Sequence, residues 1–202
     1  MNRGRPRIFD PDLVLENAMQ LFWSKGYEAT SLQELLAATG LSKSSLYESF
    51  GNKQSLFEAA FSRYFDARAK QMYERLGQAR SPLSFIHDCL LSVVEEVGQG
   101  TPRGCMLVNV ANEFSTSDPS VRGLIELATR RFRQVFERAF EQAQACGQIG
   151  DSHSPDSLAL YTHCVMVGLR TQVKSGLPKQ ELLIVVDLAM ANFKGFGLTT
   201  KT

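Results

Sequence analysis

Thr30-Ser31-Leu32-Gln33-Glu34-Leu35-Leu36-Ala37-Ala38-Thr39-Gly40-Leu41-Ser42-Lys43-Ser44-Ser45-Leu46-Tyr47-Glu48-Ser49-Phe50 is the stretch on which the fold turns. Two short helical patterns meet in it. The first opens at Thr30 or Ser31, and either start gives a capping box, Thr30 with Gln33 or Ser31 with Glu34. Leu32, Leu35 and Leu36 fall on one face at helical spacing. Thr39-Gly40 stops it, since glycine enters the left-handed region without a Cβ penalty. The second starts at once with Ser42 as N-cap. Leu46 is its apolar anchor, and Lys43, Ser44, Ser45 and Tyr47 form an outward face that is polar, compact and free of acids at its N-terminal end. Two short helices joined by a glycine turn match a helix-turn-helix, and such a face suits a DNA major groove. Short helices with small polar residues also occur in bundles with no nucleic-acid role, and the pattern alone leaves that alternative open.

The flanks extend the pattern. Upstream, Asp10-Pro11-Asp12 has the cap, the proline and the acid of a helix start. Val14, Ala18, Leu21 and Phe22 share the next helix's inner face, and Gly26 ends it. Downstream, Asn52 caps a longer helix bearing Leu56, Phe57, Ala60, Phe61 and Tyr64. Helix N-termini present N–H groups to phosphate, so Thr30, Ser42 and the Asn52-Lys53 start are candidate phosphate clamps. Lys43 and Tyr47 are long enough to reach phosphate or base edges. Arg3, Arg5 and Arg7 precede all of this. They form either an arm that enters a minor groove or a solvated terminus; the module behind them favours the arm. Glu48 puts an acid beside the outward face, where it either points aside or accepts from a cytosine amine.

Bulk composition excludes more than it selects. The chain has 202 residues, 44% hydrophobic and 21% charged, with a formal net charge of +1. These values suit a globular chain that buries its own core, and any affinity for nucleic acid must be local. Asp10, Pro11 and Asp12 interrupt the apolar run that a signal peptide would need after the arginines. The apolar segment around Leu182 to Met190 is broken by Asp187 and too short for a bilayer. An intracellular, cytoplasmic chain with no membrane partner is expected.

The remaining periodicity is helical, with no sustained period-two alternation. Pro82 opens a helix with Phe85, Ile86, Cys89, Leu90 and Val93. Cys105 to Phe114 makes a short apolar helix. Asp118-Pro119 opens a long one to about Cys146, Ser154-Pro155 another to Lys174, and Pro178 the last, to about Phe196. The cysteines, Cys89, Cys105, Cys146 and Cys164, are widely and irregularly spaced and are expected as thiols. His87, His153 and His163 do not combine with them at ligand spacing, so no metal and no cofactor is expected.

Gly26-Tyr27-Glu28-Ala29-Thr30-Ser31-Leu32-Gln33-Glu34-Leu35, Gly40 to Tyr47, and Phe50-Gly51-Asn52-Lys53-Gln54-Ser55-Leu56 together resemble the N-terminal module of the TetR/AcrR family of repressors. The resemblance covers roughly Phe9 to Leu56; the rest is similar only in being helical and of suitable length. It implies an all-α chain, with a three-helix helix-turn-helix DNA-binding domain over 1–55 and a helical effector-binding and dimerisation domain over 56–202. By motif it places phosphate contacts on Thr30, Tyr47 and Lys53 and base reading on Lys43, Ser44 and Ser45, with Ser31 beside them. It implies a homodimer on a near-palindromic operator in double-stranded DNA, with repression relieved by a small molecule.

The last two helices, over 155–197, are apolar nearly all round and must be covered on more than one side. A four-helix dimer interface does this; a wholly internal hairpin is the alternative, and the resemblance favours the interface. The candidate effector liners are Phe85, Cys89, Cys105, Met106, Asn109, Phe114, Phe132, Phe136, Tyr161 and Cys164, each weighed against an ordinary core role. Their chemistry suits an aromatic or electrophilic effector. Cys105, at a helix start after Arg103-Gly104, is either a reactive thiol or an inert one.

An enzyme is the main rival class. No nucleophile elbow, phosphate-binding loop or dinucleotide fingerprint is present, and no strand is evident to carry one. A helical adaptor that binds protein is the second rival; an exposed apolar groove in place of the Lys43–Tyr47 face would mark it.

Overall fold

The computed structural model describes residues 9–98, 104–114 and 119–195. Among them are nine helices and no strand: α1 (Pro11–Lys25), α2 (Leu32–Thr39), α3 (Lys43–Phe50), α4 (Lys53–Gln78), α5 (Pro82–Val94), α6 (Met106–Glu113), α7 (Pro119–Ala145), α8 (Pro155–Lys174) and α9 (Lys179–Gly195). The expected all-α class is what the chain adopts. Arg3, Arg5, Arg7, Arg103, the Asp118 cap and Phe196 lie outside the described residues.

Side-chain caps set most of the boundaries. The Asp10 carboxylate accepts from the Asp12 N–H at 2.9 Å and starts α1. Of the two starts considered for α2, Ser31 is the one used: its hydroxyl accepts from the Glu34 N–H, and the Glu34 carboxylate accepts from the Ser31 N–H. Ser42 accepts from the Ser45 N–H at 3.1 Å, and Asn52 from the Ser55 N–H at 2.8 Å. Each cap satisfies a donor that the helix itself leaves without a partner. The turn after α2 passes through Gly40 at φ +69°, a left-handed geometry that favours glycine.

Two units follow from the packing. One runs up to Ala67 and also takes in Asn109–Ile125; the other takes Arg68–Val108 and Glu126 onwards. The first therefore reaches beyond the 1–55 module expected from sequence. Leu56, Phe57, Ala60, Phe61 and Phe65 of α4 are buried, together with Val14, Ala18, Met19 and Phe22 of α1, Leu35 of α2 and Leu46 of α3. Phe57 is the hub, with its ring 5.2 Å from Phe22, 5.3 Å from Tyr27, 5.7 Å from Phe61 and 5.1 Å from Phe114. Rings at these separations add to the burial of their area.

The second unit is built around Phe85, Ile86 and Leu90 of α5, Phe136 and Phe140 of α7, Leu158 and Leu169 of α8, and Leu182, Val186 and Phe193 of α9. Only one side of α9 is used. Leu182, Val186, Ala189 and Phe193 are buried, whereas Ile184 is 57%, Val185 40% and Leu188 61% exposed, and Leu160 and Tyr161 of α8 are also open. Within one chain, the wholly internal hairpin is not what forms.

Candidate nucleic-acid interface

The interface is built from α3 and the helix starts around it. Leu46 is fully buried and fixes α3 by its inner side. Helical geometry makes residues four apart neighbours on one face, so Lys43 lies beside Tyr47 and Ser44 beside Glu48. All four are exposed, Tyr47 to 46%, while Ser45 is half-buried. The polar side of α3 is therefore presented outward.

Its N-terminus is organised by hydroxyls. Ser42 Oγ lies 3.0 Å from Ser44 Oγ and 2.9 Å from Ser45 Oγ, besides accepting from the Ser45 N–H. Short side chains held in this way keep the start of α3 narrow, so its backbone can approach a duplex closely, and first-turn N–H groups suit phosphate. Lys53 opens α4 beside the Asn52 cap, and its ammonium sits 4.3 Å above the Tyr27 ring, a cation–π contact. That holds a positive charge at a second helix start.

Thr30, an expected phosphate contact, and Ser31, a DNA-binding candidate beside it, are engaged in local bonds. Thr30 is fully buried; its hydroxyl donates to the Gly26 carbonyl at 2.5 Å and its N–H to Tyr27 at 3.2 Å. Both donors are used in closing the turn before α2. Ser31 is exposed, but its N–H and hydroxyl both donate to Glu34, at 2.9 and 2.8 Å. The Lys25 ammonium bonds the other Glu34 oxygen. That contact, with the Ser31 donors, holds the Glu34 carboxyl at about 2, below the ordinary 4.5. Glu34 thus ties the end of α1 to the start of α2.

One residue of the site had no signal in the local sequence. Glu113, at the end of α6, accepts from the Tyr27 N–H at 2.8 Å and the Glu28 N–H at 2.6 Å. It thereby fills the turn between α1 and α2. Gly26 has φ +88°, so the turn needs glycine for its backbone, and a Cβ there would lie 2.9 Å from a Glu113 oxygen and displace that carboxylate. The next residue, Phe114, lies against Tyr27, ring to ring at 4.7 Å. Ser120 donates to Glu58 at 3.0 Å and accepts from Gln54 at 3.2 Å. Residues far along the chain therefore brace the unit that presents α3.

The expected effector liners do not form one group. Phe85, Cys89 and Phe136 are packed into the second unit's core. Burial pushes the Cys89 thiol up to about 11, which suppresses thiolate chemistry. Met106 is buried, while Cys105 and Phe132 are partly open. Asn109 and Phe114 belong to the first unit, where the half-buried Phe114 ring stacks on Phe57. Tyr161 and Cys164 are exposed on α8, and the Tyr161 hydroxyl accepts from Asn192 at 3.2 Å. Their helical spacing suited an inner wall, but α8 turns that stripe outward. Two surface grooves of the second unit, one beside Tyr73 and Arg138 and one beside His87 and Lys194, are lined by none of these residues. Among the described residues, no cluster of three or more histidines, cysteines and acids could hold a metal, and no helix is long and apolar enough to cross a membrane.

Comparison with known proteins finds two matches in order along the chain. Residues 14–60 match the model of the bacterial regulatory proteins of the tetR family, and 82–176 match the tetracyclin repressor-like C-terminal domain. The HTH-type transcriptional repressor ComR of Escherichia coli K12 is 31% identical over 191 residues, covering 94% of this chain and 91% of its own length. A cysteine mutant of the TetR family transcriptional regulator CifR, solved with 26-bp double-strand operator DNA, superposes with a TM-score of 0.79 at 30% identity, covering 94% of this chain and 100% of that one. The reduced form of E. coli NemR shares the fold, with a TM-score of 0.81 at 21% identity over 95% of this chain and 98% of its own.

Proposed function

The chain belongs to the TetR family of DNA-binding transcriptional regulators, which are not enzymes, and on that footing we propose that it is a homodimeric cytoplasmic repressor released from a near-palindromic operator by a small molecule. The observation that carries the reading is the outward polar side of α3, with Lys43, Ser44 and Tyr47 open above a buried Leu46. Tyr47 and Lys53 serve the phosphates, Lys43 and the hydroxyl cluster serve the base edges, and the Arg3, Arg5 and Arg7 arm follows the adjacent minor groove.

Dimerisation supplies the geometry. Two recognition helices must sit about one DNA turn apart, roughly 34–36 Å. The open apolar side of α8 and α9, with Leu160, Ile184, Val185 and Leu188, is the surface that pairs. A second copy of that surface buries it symmetrically, as a two-fold interface requires.

Release follows if a ligand favours a dimer whose helices are wrongly spaced, since a ligand shifts an equilibrium by its difference in affinity for the two states. The effector is an aromatic or electrophilic compound. Cys105, half-exposed at the start of α6, is the thiol that meets an electrophile. Selection of DNA from a random pool by the full-length protein tests the reading. A palindromic sequence should emerge, bound less tightly as salt rises. Recovery of no preferred sequence would refute it. Alkylation of the thiols should weaken operator binding in the wild type and not in Cys105→Ser; equal behaviour of the two would remove Cys105 from the account.

A further inference from the structure

Glu48 is the residue of α3 that the repressor reading leaves without a role. It is exposed, one turn after Ser44 on the same outward side and adjacent to Tyr47. Most other acids of the unit are committed: Asp12 and Glu16 accept from Arg63, Glu34 from Lys25 and Ser31, Glu58 from Gln54 and Ser120, and Glu113 from the turn at Tyr27 and Glu28; the Glu28 carboxylate is open too, but it lies in the turn before α2 and not on α3. Among the described residues, no ion pair or side-chain hydrogen bond engages the Glu48 carboxylate.

A carboxylate on a groove-facing surface is unfavourable for general affinity. Duplex DNA carries about one negative charge per 1.7 Å of axis, and α3 contributes only Lys43 in compensation. The acid gains only where the groove offers a donor. The major groove presents two, the exocyclic amines of cytosine and adenine. Adenine places its N7 acceptor next to that amine, where it repels the second carboxylate oxygen. Cytosine has no acceptor on its own major-groove edge, so it is the better partner.

We propose that Glu48 is a specificity-determining residue that accepts a hydrogen bond from a cytosine amine in each operator half-site. The assignment rests on the DNA-binding reading above. Glu48 lowers affinity for DNA in general and restores it only at sites with cytosine in register, which is discrimination by a repulsive element as well as an attractive one.

The test is random-pool selection with full-length wild type, Glu48→Gln and Glu48→Ala. Because Glu48 is exposed and uncommitted, both variants should keep the wild-type melting temperature. The wild type should enrich cytosine at one position of each half-site. Glu48→Gln should move that position towards adenine, since a carboxamide pairs with both N6 and N7. Glu48→Ala should accept any base there, with discrimination falling about fivefold or more. Identical sequence preferences in all three proteins would overturn the assignment while leaving the repressor reading intact. So would a Glu48→Ala protein that binds every sequence more tightly by one common factor, because Glu48 would then only repel. A wild type that enriches nothing removes the DNA-binding reading and this assignment together.

Discussion

Both units cap helix starts and bury aromatic cores, and the second also pairs Arg133 with Asp156 and Arg170 with Glu96, but they differ in where polar bonds concentrate. In the first, polar side chains fix the backbone: Asp10, Ser31, Ser42 and Asn52 cap helix starts, Glu34 ties α1 to α2, and Glu113 fills the turn between them. In the second, apolar volume does most of the work, with Phe85, Phe136, Phe140 and Phe193 fully buried in one cluster. A recognition surface needs side chains placed to within a fraction of an ångström, and directional bonds supply that. Nondirectional burial gives the second unit cohesion and, on the proposed reading, leaves room for repacking.

The contrast can be broken most sharply from the second unit. Phe193→Ala should cost about 3–5 kcal/mol, since a fully buried phenyl leaves a cavity. Chemical denaturation should show the loss; a change under 1 kcal/mol would mean that this core is not what holds the unit. Ile184→Glu with Leu188→Glu should leave the fold intact and yield monomers by light scattering. Operator affinity should fall about a hundredfold or more, because the second half-site is no longer tethered. A dimer of undiminished affinity would place the pairing surface elsewhere.

Changes in the first unit should separate binding from folding. Tyr47→Ala should weaken DNA binding by about 1.5–3 kcal/mol, the range for a hydrogen bond to a charged group, with no change in melting temperature; Lys43→Ala should behave alike. Glu113→Ala should do the reverse of a surface change. It leaves the Tyr27 and Glu28 N–H groups without their acceptor and should destabilise the chain by about 1–2 kcal/mol. Fluorescence-monitored unfolding would show it, and a neutral result would demote the bracing role. The smallest effect is acid-dependent. Glu34 titrates at about 2 when folded against an ordinary 4.5. Its contribution is present above about 4.5 and fades as pH falls towards 2. Its carboxylate is at the surface and screened by solvent, so the effect is small, and Glu34→Gln should slightly flatten the acid limb of the stability curve.

Legibility in the sequence depended on the range of the interaction, in both units. Helices set by a local cap were visible, because the cap and its partner lie within one turn: Ser31 with Glu34, Ser42 before Leu46, Pro155 after Ser154. The outward side of α3 was visible because Leu46 alone breaks its polar run. The local bond of Thr30 is not legible, because a hydroxyl at a helix start suits either a phosphate or its own turn, and only the packed structure shows it donating to Gly26. Glu113 was invisible because its partners lie 85 and 86 residues away. The effector liners were the least legible. An aromatic at helical spacing looks the same whether it faces the core, as Phe136 does, or solvent, as Tyr161 does.

The claim on which the account depends is that α3 occupies a major groove twice per dimer. Methylation interference at guanine N7, on an operator recovered by selection, tests it directly. Two interference clusters about one helical turn apart are expected, on one face of the duplex, and both should weaken with Tyr47→Ala. Interference confined to a single cluster, or clusters unaltered in the Tyr47→Ala protein, would contradict it.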